Sequence, residues 1–252
     1  MQVKSGNKGG SRCCALLVRT CRIAHDDHGR QWRYDEPRSA DRGRLSIHGL
    51  NVIPEAGPDI FARQRFLVVS QLLDPVLAAF FWSYAHTKFA SRLLVGDQQV
   101  PMTPSGYGDP AFDGLLEHLR PRVESHPGLR LPPTYSHFRM YKRGDVLERH
   151  RDRPACEISV TLNIGQKPLD PWPIYVEGGG EPYGAKLKPG DALLYCGMEL
   201  FRWRDAFQGD ALVQVFLHYV DRDGPNADQK FDKRSSLMRM KEGASVHGNQ
   251  EA

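Results

Sequence analysis

The feature that most limits how this chain can fold is the run Glu157 to Ile164, in which Ile158, Val160, Leu162 and Ile164 alternate with Glu157, Ser159, Thr161 and Asn163. A strict period of two predicts a half-buried β-strand, because a helical stripe would recur every three or four residues. Just ahead of it stands His150-Arg151-Asp152. On extended backbone, residues two apart leave the same face, so the imidazole and the carboxylate would sit side by side at the mouth of a sheet. Such a pair suits a divalent metal, and non-haem Fe(II) is favoured if a second His completes the face. Taken alone, His-x-Asp is more often a surface ion pair, so its surroundings must decide. The same three letters open the catalytic loop of protein kinases, but Pro154 and Glu157 stand where that loop needs Lys and Asn. No glycine-rich nucleotide loop precedes them, which excludes the kinase reading.

From Tyr135 onward, short strand-like runs alternate with turn chemistry at regular spacing, as in a sandwich or jelly roll. Turns are predicted at Arg143-Gly144-Asp145, residues 165–173, residues 177–184, Pro189-Gly190-Asp191 and Gln208-Gly209-Asp210. Gly178 to Gly180 has no helix after it and no Lys-Ser/Thr pair, so it reads as a hairpin tip and not a phosphate cradle. In the strand predicted over Leu212–Val220, one face carries Val213, Val215, Leu217 and Tyr219, and the other Gln214, Phe216 and His218.

Before the β-rich half, a strand is expected near Ile60 to Val69. Asp74-Pro75 supplies an N-cap and a first-turn proline for a helix whose apolar side is Val76, Leu77, Phe80, Phe81, Tyr84 and Phe89. Asp109-Pro110 starts a second helix, buried on Phe112, Leu115, Leu116 and Leu119 and closed by Pro121. Between them, residues 96–108 form a loop that reads equally as a lid or a connector.

The order Tyr141-Lys142-Arg143-Gly144-Asp145, then His150-x-Asp152, the strands around Pro189-Gly190-Asp191, Phe201-Arg202-Trp203-Arg204 and the final strand resembles the 2-oxoglutarate- and Fe(II)-dependent dioxygenases, in particular their prolyl-4-hydroxylase-like branch. The resemblance covers roughly residues 60–220. It implies a mostly β fold with flanking helices, a double-stranded β-helix or jelly roll. It makes His150 and Asp152 iron ligands and catalytic residues, and Tyr141 a contact of the cosubstrate. It puts a distal His immediately before Trp203, where this chain has Arg202. A guanidinium stays protonated and offers no lone pair, so it cannot ligate iron. His218 could replace the missing ligand, iron could be held by His150, Asp152 and cosubstrate alone, or the site could be degenerate. The cation expected for the far carboxylate of 2-oxoglutarate falls at Leu212, so Arg202, Arg204, Gln214 and His218 are the candidate cosubstrate contacts, with Arg202 or Arg204 as a planar clamp. Hydrogen bonds orienting His150 and Asp152 are sought from Arg151, Arg153 and Glu157.

The resemblance implies Fe(2+) and 2-oxoglutarate as cofactors, and hydroxylation of a peptide prolyl group or a small organic molecule. The other class of reading is a catalytically impaired or inactive protein of the same fold that binds a ligand or partner. Length fits one domain with tails: residues 1–55 as a basic, disordered extension, 56–222 as the dioxygenase-like domain, and 223–252 as a polar tail, mobile past Phe231. A net charge of +4 does not demand nucleic acid, and no apolar run of about eighteen residues suggests a membrane span. Cysteines at 13, 14, 21, 156 and 196 show no paired spacing, which points to a reducing, cytoplasmic setting. Cys156 and Cys196 are expected in strands as buried thiols, and Cys21, His25 and His28 as stray residues of the extension. Oligomeric state is not legible.

Overall fold

A computed structural model describes residues 57–92 and 94–237. Helix α1 (Gly57–Gln64) and strand β1 (Phe66–Val69) come first, so the single strand expected from Ile60 is in fact a short helix and a shorter strand. Arg65, at φ 63°, turns the chain between them. Helix α2 (Pro75–Ala90) begins where Asp74 caps it, accepting from the Val76 N–H at 2.8 Å. Its buried side is Ala78, Phe81 and Ala85, whereas Val76, Phe80 and Phe89 are exposed. The expected stripe is therefore rotated: Phe81 stays inside with the small Ala78 and Ala85, and Val76, Phe80 and Phe89 stand outside.

Strand β2 (Ser105–Tyr107) lies within the loop expected over 96–108, and helix α3 (Pro110–Ser125) follows, capped by Asp109. Phe112, Leu115, Leu116 and Leu119 are buried as expected, but the helix passes through Pro121 to Ser125. Strands β3 (Pro133–Tyr141), β4 (Leu147–His150) and β5 (Ile158–Lys167) then lead into β6 (Ile174–Glu177), β7 (Tyr183–Ala185), β8 (Ala192–Cys196), β9 (Phe201–Arg204) and β10 (Ala211–Tyr219).

These strands form a six-stranded sheet ordered β1-β8-β5-β10-β3-β2 and a four-stranded sheet ordered β4-β9-β6-β7, with every pairing antiparallel. Consecutive strands cross repeatedly between the two sheets, and this is the double-stranded β-helix. The large sheet is buried on both faces. Outwardly, Ile158, Val160, Leu162 and Ile164 of β5 and Val213, Val215, Leu217 and Tyr219 of β10 join Phe81, Phe112, Leu116 and Leu119 of the helices in one core. Ser159, Thr161 and Asn163 on the inner side of β5 are equally buried. The alternation of β5 thus separates two interiors, one apolar and one polar, where half-burial was expected.

The turns at Gly144, Gly179 and Gly190 have positive φ, which glycine adopts without strain. The polar tail expected from 223 onward folds back instead: Asp232 and Leu237 are buried, and residues Ala227–Lys233 form a 3-10 turn with a kink. The expected extension over residues 1–55, with Cys21, His25 and His28, lies outside the described residues.

Candidate active site

Five strands aim polar side chains into the barrel. Antiparallel register sets Tyr135 opposite His218, His137 opposite Phe216 and Arg139 opposite Gln214 on β3 and β10. It also sets Gln214 opposite Asn163 and His218 opposite Ser159 on β10 and β5. On the smaller sheet, His150 of β4 faces Arg202 of β9. A cavity of about 1080 Å³ opens over this interior, lined among others by Asp97, His137, Arg139, Asp152, Arg202 and His218.

His150 and Asp152 converge, with Nε2 of the imidazole 3.7 Å from Oδ1 of the carboxylate. The His150 ring is oriented by its Nδ1, which lies 2.7 Å from the Glu148 carbonyl oxygen. Its buried Nε2 has no hydrogen-bond partner. Between the two ligands expected from the sequence and any third stands Arg202, whose Nη2 donates to Asp152 Oδ1 at 2.5 Å. Both side chains are 4% exposed, so this is a buried ion pair. Burial would push the Asp152 carboxyl upward, but the Arg202 guanidinium outweighs it and holds it below its ordinary range. Burial, followed by Arg202, pushes His150 down.

Asp152 is fixed by groups that were not anticipated. Its backbone N–H donates to Gly197 O at 2.9 Å, and its Oδ2 accepts from Tyr195 OH at 3.3 Å and more loosely from Ser159 Oγ at 3.5 Å. Gly197 must be glycine here, since a Cβ would lie 2.2 Å from Cys156 O and 2.7 Å from Asp152 Oδ2. Arg151, Arg153 and Glu157, sought as orienting groups, are engaged elsewhere. Arg151 lies over the Phe201 ring, Arg153 bonds Asp232 at 2.6 Å, and Glu157 accepts from the Asp221 N–H. Chain proximity misled because each of these side chains finds its partner away from His150 and Asp152.

The remaining candidates lie deeper. Tyr141 is buried and accepts from Arg139 Nη1 at 2.9 Å. Arg139, which the sequence reading overlooked, also donates to Asp97 Oδ2 at 2.8 and 2.6 Å. Burial opposes ionisation of Asp97, yet His137 and Arg139 hold it well below the carboxylate range. Arg204 donates to Trp172 O at 2.5 Å and to Gln214 Oε1 at 2.7 Å, and lies over the Trp172 ring. Among the described residues no acid pairs with it, and burial lowers it to about 10. Three buried guanidiniums thus face two carboxylates, Asp97 and Asp152. Unpaired N–H groups remain at Arg202 Nε and Nη1, Arg204 Nε and Gln214 Nε2. His218 lies in the barrel, its Nδ1 2.8 Å from Ser159 Oγ, and burial lowers it to about 3, so it is neutral. The buried thiol Cys156, expected in a strand, sits in the 3-10 turn Pro154–Cys156, while Cys196 is in β8 as expected. The signal for β3 was present in the sequence, since Tyr135, His137, Arg139 and Tyr141 alternate with period two.

The donor set does not fit Fe(II) as it stands. The imidazole and the carboxylate lie 3.7 Å apart, but the carboxylate is already paired with the Arg202 cation. A divalent ion about 4 Å from a guanidinium is repelled by roughly 8 kcal/mol at an effective dielectric of about 20.

No family model and no curated protein matches the chain. Solved structures do. It is similar to a Pseudomonas putida prolyl-4-hydroxylase at 18% identity and TM-score 0.55, covering 65% of this chain and 96% of that one. It is similar to a Trichoplax adhaerens prolyl hydroxylase in complex with a hypoxia inducible factor peptide fragment at 11% identity and TM-score 0.54, covering 65% and 87%. A third is the epimerase SnoN in complex with Fe3+, alpha-ketoglutarate and nogalamycin RO, at 12% identity and TM-score 0.56, covering 77% and 92%. The chain has the double-stranded β-helix fold of 2-oxoglutarate- and Fe(II)-dependent oxygenases.

Proposed function

We propose that this chain carries a site of the 2-oxoglutarate/Fe(II) oxygenase type in which Arg202 closes the iron position, leaving a barrel that binds a small carboxylate without iron chemistry. The observation that carries this reading is the buried Arg202–Asp152 ion pair at 2.5 Å, opposite His150. The ligand class follows from charge and donors. The barrel holds one guanidinium more than it has carboxylates, and the free N–H groups of Arg202, Arg204 and Gln214 are hydrogen-bond donors suited to a carboxylate. 2-Oxoglutarate is the ligand this reading favours. Tyr141 and His218 would shape the pocket, Tyr141 through Arg139 and His218 as a neutral ring against Tyr135.

A second reading, hydroxylation of a peptide prolyl group or small organic substrate with Fe(2+) and 2-oxoglutarate, is favoured by one specific observation. His150 Nε2 is buried, unpartnered and 3.7 Å from Asp152 Oδ1. One experiment separates them. Calorimetry with 2-oxoglutarate in chelator, and succinate release with Fe(II) and O2, are run on the wild type, Arg204→Gln and Arg202→His. The first reading expects metal-free binding that weakens at least tenfold in Arg204→Gln, no succinate from the wild type, and succinate from Arg202→His. Wild-type turnover that disappears in His150→Ala would establish the second.

A further inference from the structure

Next to the Arg202–Asp152 pair, Asp152 and His218 meet a third group, the Cys156 thiol, that neither reading uses. One ligand atom each from Asp152, Cys156 and His218 falls within 4.8 Å of the others. All three residues line the 1080 Å³ cavity, so an ion among them would keep one position open to it. Each has its own supporting hydrogen bond. Cys156 Sγ is 3.0 Å from Tyr135 OH, His218 Nδ1 is 2.8 Å from Ser159 Oγ, and Asp152 is held by Arg202 and Tyr195. Ser159 Oγ also lies 3.0 Å from Cys156 O. Such outer contacts fix ring orientation and tautomer in metal sites.

We infer that Asp152, Cys156 and His218 form a three-ligand site for a thiophilic divalent cation of the zinc class. An oxygen, a sulfur and an imidazole nitrogen match zinc and exclude magnesium and calcium, which take oxygen ligands. In four-coordinate zinc, ligand atoms are about 3.3–3.8 Å apart, so the cluster must contract by about 1 Å. The charge argument against iron at His150 does not carry over. Binding replaces the Cys156 thiol proton by the metal, and the thiolate adds the second negative charge that the His150–Asp152 pair lacks. Arg202 holds Asp152 Oδ1, while Oδ2 has only the two longer contacts.

The test uses the full chain, freed of metal by chelator, kept reduced, and titrated without oxygen with Co(II) and then Zn(II). One equivalent of Co(II) should give a near-ultraviolet thiolate-to-metal charge-transfer band that Zn(II) abolishes. Cys156→Ser should remove the band, His218→Ala should weaken Co(II) binding at least tenfold, and His150→Ala should leave the band in place. X-ray absorption on the zinc-loaded wild type covers the case in which Cys156→Ser folds poorly, and should find one sulfur with nitrogen and oxygen neighbours. No thiolate band in the wild type, a band that survives Cys156→Ser, or a zinc shell without sulfur would overturn the assignment.

Discussion

At the scale of single residues, the account turns on Arg202. A buried carboxylate that loses its only guanidinium partner is left as an uncompensated charge, a loss of roughly 3–5 kcal/mol. Arg202→Met is therefore expected to lower urea-unfolding stability at pH 7 by about that amount. The pH dependence should also change sign. With Arg202 present, Asp152 titrates below its ordinary range, so its contribution is full above the unfolded value and is lost as pH falls through the folded one. Without Arg202, burial becomes the largest influence and raises the carboxyl against the longer Tyr195 and Ser159 contacts, and stability then falls as pH rises. Urea titrations at pH 5 and pH 7 should show a smaller deficit for Arg202→Met at pH 5, and an equal deficit at both would contradict the pairing. His218 gives a second residue-scale prediction. Its folded value of about 3 lies below the ordinary imidazole, so in metal-free protein the unfolded chain gains a proton first as pH falls from 6.5. Stability should drop by up to about 1.4 kcal/mol per pH unit there, and His218→Gln should flatten that slope by one proton in a plot of unfolding free energy against pH.

At the scale of elements, the β-strands of the second half were the legible part. Period two in β5 and β10 fixed their existence, and the two faces of β10 divide as the alternation said, with Val213, Val215, Leu217 and Tyr219 in the helix-facing core. The pair His150 and Asp152 was legible for the same reason. The side chains that hold that pair were not, because Tyr195, Ser159 and Gly197 reach it across strands whose register no local pattern encodes. Helix α2 shows the complementary failure. Its large apolar residues suggested the buried face, but the alanines that pack on the sheet carried almost no hydrophobic signal. The turn after β8 offers the sharpest element-scale test. Gly197→Ala would drive a methyl group to 2.2 Å from Cys156 O, and such overpacking typically costs about 1–3 kcal/mol. Chemical unfolding should show at least that loss, and neutral behaviour would mean that the turn does not press on Asp152.

At the scale of the whole molecule, the two sheets separate the forces that hold the fold from the chemistry it encloses. The helices cover the large sheet with an apolar core, and the barrel interior is left for arginines, histidines and two carboxylates. Arg202 belongs to that enclosed side: it pairs with Asp152 and is not part of the helix-facing core. Among the described residues, no helix is long and apolar enough to cross a membrane. The most direct test of the closed iron position is an oxygen-free titration of wild type and Arg202→His with Fe(II) and 2-oxoglutarate, followed by visible absorption. The account predicts no iron-to-oxoglutarate charge-transfer band in the wild type and a band in Arg202→His at one equivalent of iron. A band of equal strength in the wild type, lost in His150→Ala, would contradict it.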